Sequence, residues 1–287
     1  MTALRRFLSL LLLLVLVAVR AQTPPPPATV RVVSQTVGTD ELLLALAEPQ
    51  QIAALSQLAR DPDFSAVAAE AQRYPMLAPS GAAESVLKYQ PTLVLCTDYS
   101  RVELVTQLRR SGVRVLIFDH YLTLEDVYTN LRLLARELGA KERADRLVAE
   151  CQARVAALQT RLKGLRPVRV LAPSTYGYIP GGKSTFQDLC DHAGAENLAT
   201  TLGHLTGHAP QPSEQMVAWP VEYVVVGGHD VNAALAPFRL LLPYQYMPAV
   251  QAGRAVLLPP YLLSCVSHHR IEGYEIMAGA LHPAAFQ

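Results

Sequence analysis

The chain has almost no charge imbalance: 25 Lys and Arg stand against 24 Asp and Glu in 287 residues, a formal net charge of +1. That balance creates no basic field for counterion release on DNA or RNA, so nucleic acid is not an expected partner. Cysteine is scarce, with four in all. Cys96, Cys151, Cys190 and Cys265 are far apart, with no C-x-x-C and no His at zinc-finger spacing, which excludes a structural zinc module. Trp occurs once, as Trp219, and before a strand rather than in a loop after one. The G-x-S-x-G, H-E-x-x-H and calcium-loop patterns are missing, which removes the commonest hydrolase and metalloprotease readings. No apolar run reaches the roughly 20 residues that a helix needs to span a bilayer.

The longest apolar run, residues 8–19, follows Arg5 and Arg6 and gives way to Arg20, Ala21 and Gln22. A basic start, about a dozen apolar residues and a small residue at the cleavage point describe a secretory signal peptide, expected to occupy 1–21. No Cys closes the run, so no lipid attachment is expected and the mature protein should be periplasmic. Export allows a disulfide. Cys96, ending an apolar strand, and Cys151, on a helix face, read as buried thiols. Cys190 and Cys265 fall in the same half of the chain and are the candidate bridge.

Four consecutive prolines make 22–29 an extended spacer. From residue 30 the chain alternates apolar strands (30–34, 52–56, 92–97, 113–118) with helices (38–47, 83–88, 101–111). This alternation predicts parallel βαβ units. Asp40 and Glu41 suit the first turn of the first helix. The pattern then changes. Leu124, Val127, Leu131, Leu134 and Leu138 recur at helical spacing up to Gly139, and a second helix over 141–163 carries Leu147, Val148, Cys151, Val155, Leu158 and Leu162 on one stripe. At 1.5 Å per residue that helix is about 34 Å long, enough to be a strut. Alternation resumes with strands at 168–172, 221–226 and 255–258 and helices at 185–193, 213–218, 233–242 and 269–281. The expected fold class is α/β: an N-terminal lobe (30–122), linking helices (123–165) and a C-terminal lobe (166–287), each lobe holding a parallel sheet.

Gly177 to Ser184 satisfies G-x-x-x-x-G-K-[ST], the loop that cradles phosphates in nucleotide-binding enzymes. Its context argues against that use. Pro173 to Tyr176 separate the first glycine from the strand, Pro180 removes a backbone donor from the cradle, and the apolar run ending in an acid, 115–119, precedes the loop. A Gly/Pro turn with Ser184 or Thr185 capping the next helix is the expectation; an exported enzyme using the loop is the alternative.

Several segments, in order, resemble the periplasmic binding proteins of ABC importers that carry iron chelates, haem or cobalamin. The stretch from Arg31 to Leu46 is similar to that family's opening strand and turn. Glu84-Ser-Val-Leu-Lys-Tyr-Gln-Pro-Thr-Leu-Val-Leu95 resembles its helix-to-strand motif, with Thr92 in place of the usual acid. Thr123 to Leu131 with the long helix resembles its inter-lobe strut. Phe186 to Leu198 resembles its second-lobe helix and Gly-x-x-Asn-Leu turn, and Arg270 to Pro283 its closing helix.

The resemblance implies a monomeric, non-enzymatic receptor without a cofactor, whose partners are the permease and ATPase subunits of an ABC importer. Contact with the inner membrane would come only through the permease. Ligand would lie between the lobes, touched by strand-end loops: Thr36, Ser80, Tyr99, Arg101, His120 and Tyr121 on one side, and Tyr176, Tyr178, His208, His229, Tyr261 and Arg270 on the other. Tyr and His offer an apolar face with one polar tip, and either ligates iron. Glu84 and Glu214, one per lobe and each opening a helix, match the acids that would pair with permease arginines. Among transported ligands, a ferric siderophore is expected ahead of haem and cobalamin, because the tip around Pro79 and Ser80 has no Met or Tyr and the cleft loops have no Trp. Arg101 and Arg270 would meet its anionic oxygens. A free-metal receptor using several His is the remaining alternative within the family.

Overall fold

The computed structural model describes residues 30–79 and 82–287. The expected signal peptide, the whole of the 22–29 spacer and Ser80 therefore lie outside the described residues.

Short β-branched and Leu-rich runs form the strands. In the N-terminal lobe these are β1 (Val32–Ser34), β2 (Ile52–Ala54), β3 (Leu93–Thr97) and β4 (Arg114–Phe118), and in the C-terminal lobe β5 (Val168–Leu171), β7 (Ala195–Asn197), β9 (Tyr223–Gly227) and β10 (Ala255–Leu258). All pair in parallel, in the orders β2-β1-β3-β4 and β10-β9-β5-β7. Numbered within its own lobe, each sheet runs 2-1-3-4. β1, β3 and the centre of β9 are buried on both faces, as parallel strands covered by helices must be. A separate antiparallel pair joins β6 (Tyr178–Pro180) to β8 (His208–Pro210).

Among the helices are α1 (Val37–Leu46), α2 (Ala83–Leu87), α3 (Val102–Arg110), α4 (Leu124–Leu138), α5 (Lys141–Leu162), α6 (Thr185–Ala193) and α7 (Arg270–Leu281). Thr123 opens α4 with a capping box, and Gly139 closes it in the left-handed conformation at φ 70°. α5, with 22 residues, buries Ala144, Val148, Cys151, Val155 and Leu158. It packs on α4 along one side and on α6 and α7 along the other. One apolar cluster consequently runs from Val32 and Leu43 through Leu131 and Val148 to Phe186 and Met277, uniting the lobes through the strut. Two smaller clusters back the outer faces of the sheets.

Three elements differ from the sequence expectation. β7 was expected as a turn; its three residues include Glu196 and Asn197 and carry no apolar alternation. β6 and β8 are equally short, each preceded by Gly and ending in Pro. In the Gly177 to Ser184 segment, Gly181 N–H donates to Gly207 O and Gly182 N–H to Leu205 O. The Ser184 hydroxyl donates to Gly181 O and accepts from Gln187 N–H, so it caps α6. Donors that a phosphate cradle would need are thus committed to the neighbouring chain.

The cysteines also correct an expectation: all four are free and buried, and no Cys190–Cys265 bridge is made. Cys190 lies inside the apolar cluster on α6, whereas Cys265 sits at the lobe junction beside Glu41 and Ser267.

Arg270 is a further correction. Expected at the cleft, it is 3% exposed and its five donors are all used, on Cys265 O twice, Tyr121 O, Leu122 O and Asp188. Asp188 also accepts from Leu124 N–H and from the Tyr274 hydroxyl. The network ties α6 and α7 to the loop between β4 and α4. Arg270→Met is expected to cost about 3–5 kcal/mol in urea unfolding, because it leaves Asp188 buried without a countercharge. Replacing both partners, as Arg270→Met with Asp188→Leu, should cost less than the single change.

Candidate ligand-binding cleft

A 2-1-3-4 parallel sheet has its switch point between strands 1 and 3, where successive connections leave in opposite directions and a crevice opens at the carboxyl ends. Both lobes turn such a crevice toward the other. In the N-terminal lobe the relevant loops follow β1, β3 and β4, joined by residues 57–67 after β2. In the C-terminal lobe they follow β5, β9 and β10.

Two cavities occupy this space and meet at Ser264. The first encloses about 460 Å³ between the lobes, with Phe64, Asp63 and Tyr99 on one wall, Pro260, Tyr261 and Val266 on the other, and Glu41 with Cys265 among its lining. The second, about 400 Å³, lies against the C-terminal lobe between Tyr176, Tyr178, His208, Phe186, Phe238 and Ser174. Both are within the range of small-molecule sites. Tyr99 (59% exposed), Tyr176 (88%) and Tyr178 (54%) present their rings to solvent, which is unusual for side chains of that size.

Residues singled out in the sequence divide between these walls and other duties. Tyr99 and Tyr261 line the first cavity and Tyr176, Tyr178 and His208 the second. Tyr121 packs edge-on against Tyr99, centroids 5.9 Å apart, and donates its hydroxyl to Asp98 at 3.0 Å. Burial and that carboxylate push its phenol up to about 12. His229 reaches the rim, its Nε2 3.5 Å from Asp63 of the opposite lobe. Thr36 is spent capping α1, where it accepts from Thr39 N–H. His120 is exposed next to Asp119, and Arg101 is exposed at the start of α3; neither lines these two cavities. Asp63, Phe64, Ser264 and Val266 are not singled out by the sequence, and Cys265 only as half of a bridge. Phe64, an aromatic alone in a polar stretch, was the available signal.

The junction beneath the cleft is close-packed and acidic. A Cβ on Gly38 would lie 2.2 Å from Val266 Cγ2, so only glycine lets α1 approach the C-terminal lobe there. Asp40 stands in the first turn of α1 as expected, and both it and Glu41 are buried. Asp40 accepts from the Ser56 N–H and hydroxyl. Burial, opposed by hydrogen bonds from Ser34 and Ser56, raises its carboxyl to about 7. Glu41 accepts from Ala66 N–H, the Ser267 hydroxyl and the Cys265 thiol, and burial raises it as well. Burial and then Glu41 push the Cys265 thiol up to about 12, which leaves it unreactive. Among the described residues no group of three or more His, Cys, Asp or Glu gathers at one point, so the free-metal alternative lacks a ligand set of those types. Nor is any helix among them long and apolar enough to cross a membrane.

Two αβ lobes facing across an aromatic cleft, held by one long helix, define a bilobed solute-binding protein with a helical backbone. The chain belongs to the periplasmic binding protein family, whose model matches residues 32–262. The periplasmic haem-binding protein RhuT from Roseiflexus sp. RS-1 superposes with a TM-score of 0.77 at 21% identity, covering 90% of this chain and 100% of that one. The periplasmic haem-binding protein HutB of Vibrio cholerae gives 0.75 at 22%, covering 89% and 100%. In sequence, the chain is 23% identical over 213 residues to the uncharacterized ABC transporter substrate-binding lipoprotein YvrC of Bacillus subtilis, a match spanning 71% of this chain and 66% of that relative.

The buried acids set a pH dependence. An acid whose folded pKa lies above its unfolded value binds more protons when folded, so its contribution is full below the unfolded value and is lost as pH rises through the folded one. For Asp40 the window is about pH 4 to 7, with Glu41 acting in the same direction. Denaturant unfolding across this range should show stability falling with pH, by at most about 4 kcal/mol from Asp40. Asp40→Asn should flatten the slope.

Proposed function

We propose that the protein captures haem in the inter-lobe cleft and delivers it to the permease of an ABC importer, acting as a monomer outside the cytoplasm. The observation that carries this reading is the pair of adjoining cavities walled by tyrosines from both lobes. A tetrapyrrole is flat, apolar over its faces and metal-bearing at its centre, which suits aromatic walls with a phenol or imidazole at hand. Tyr99 is the N-terminal-lobe candidate for the iron. It lines the cavity and its hydroxyl has no partner among the described residues, whereas the Tyr121 hydroxyl is committed to Asp98.

The comparisons support the same ligand class, since RhuT and HutB are haem-binding proteins. The sequence favours a ferric siderophore, with Arg101 and Arg270 to meet its anionic oxygens; burial of Arg270 in the junction removes one of those two cations. Titration with hemin should raise a protein-bound Soret band, weakened at least about tenfold in affinity by Tyr99→Ala. Saturable quenching of tyrosine emission by ferric siderophores, without hemin binding, would transfer the site to siderophores; a corrin spectrum retained on gel filtration would transfer it to cobalamin.

Delivery rests on Glu84 and Glu214. Both are exposed in the first turn of a helix and neither forms an ion pair with a described residue. Each is available to a permease arginine, where charge-assisted bonds set register and association rate. Glu84→Ala with Glu214→Ala should stop uptake while leaving hemin affinity within about twofold, since exposed rim charges contribute little to binding elsewhere. A parallel fall in affinity would place the acids in the cleft.

A further inference from the structure

Asp63 and His229 come from opposite lobes and face each other at the cleft rim. Asp63 sits in the loop after β2 and lines the inter-lobe cavity. Its position is fixed locally: Asp63 N–H donates to Asp61 Oδ1 at 2.9 Å, Phe64 N–H and Ser65 N–H donate to Asp61 O, and Pro62 restricts the turn. His229 follows β9, in a turn where a Cβ on Gly227 would lie 3.2 Å from Pro260 Cα and Asp230 caps the next helix by accepting from Ala233 N–H. Neither residue can drift far from the rim.

The imidazole meets Asp63 Oδ1 through Nε2, at 3.5 Å, and no described residue hydrogen-bonds Nδ1. A carboxylate beside one ring nitrogen holds the proton there and leaves the other as the acceptor, which is how outer carboxylates orient histidines toward metals. We propose that Asp63 is a positioning residue acting across the cleft: it holds His229 in the Nε2–H tautomer, so that Nδ1 is offered to the iron of the cargo. The cargo part rests on the haem reading above.

Both side chains are exposed, 79% and 60%, and a bulky ligand that excludes water at the rim strengthens the contact between them.

Two measurements test this. In ligand-free protein, the 15N shifts of His229 should report the proton on Nε2, a tautomer mixture in Asp63→Ala, and the wild-type pattern restored in Asp63→Glu. With hemin as probe, Asp63→Ala should speed dissociation about tenfold, His229→Ala at least as much, and the double variant no more than His229→Ala alone. Unchanged 15N shifts in Asp63→Ala, or an Asp63 effect that persists in the His229→Ala background, would overturn the proposal. If the wild type binds no hemin, the haem reading fails, while the 15N shifts still decide whether Asp63 sets the His229 tautomer.

Discussion

The guanidinium of Arg270 is the interaction on which the arrangement of the lobes depends. A charge this deeply buried is tolerable only with a counter-ion and with every donor satisfied. Arg270 meets both conditions, but only because its acceptors come from three places: the loop after β4, the segment before α7, and Asp188 on α6. Moving one lobe relative to the other strips several of these bonds at once. The pair therefore says less about net stability than about uniqueness: it selects one lobe arrangement over others that would bury similar apolar area.

Around this pair, packing works to the same end. The apolar cluster continues through α4 and α5 into both lobes, and the approach of Gly38 to Val266 leaves no slack at the floor of the cleft. Glu41 adds a polar constraint there, accepting from Ser267 and Cys265 across the junction. A floor held this way makes wide hinge motion costly. Affinity must then come from walls that already exist, which accounts for large aromatic rings left in solvent rather than folded into the core.

Legibility in the sequence followed physical scale. Strands such as β3 and β9, five residues each and apolar throughout, declare themselves, as do the i, i+3, i+4 stripe of α4 and its stop at Gly139. β6, β7 and β8 do not, because three-residue strands depend on partners distant in the chain rather than on a pattern of their own. The same limit applies to the cleft. Tyr99 and Tyr176 could be found because each follows a strand. Arg270 was misplaced because nothing local distinguishes an arginine bound for Asp188, 82 positions earlier, from one bound for solvent. Asp40 and Glu41 open the first helix, but their burial is decided by partners distant in the chain: Ser56 of the same lobe for Asp40, and Cys265 and Ser267 of the opposite lobe for Glu41.

The repeated 2-1-3-4 order gives these positions a common logic. In a βαβ unit the helix runs antiparallel to the strands, so its first turn lies at the carboxyl end of the sheet, level with the crevice. Glu84 opens the helix before β3 and Glu214 the helix before β9, the third strand of each lobe. Tyr99 follows β3 and His229 follows β9. One acid before and one iron-ligating side-chain type after the equivalent strand therefore stand at the same end of each lobe, flanking a single cleft mouth. A partner that reads both acids is thereby seated over the opening. Because the Arg270 junction ties the lobes together, it also constrains the spacing of the two acids, the spacing that the proposed docking on a permease would read.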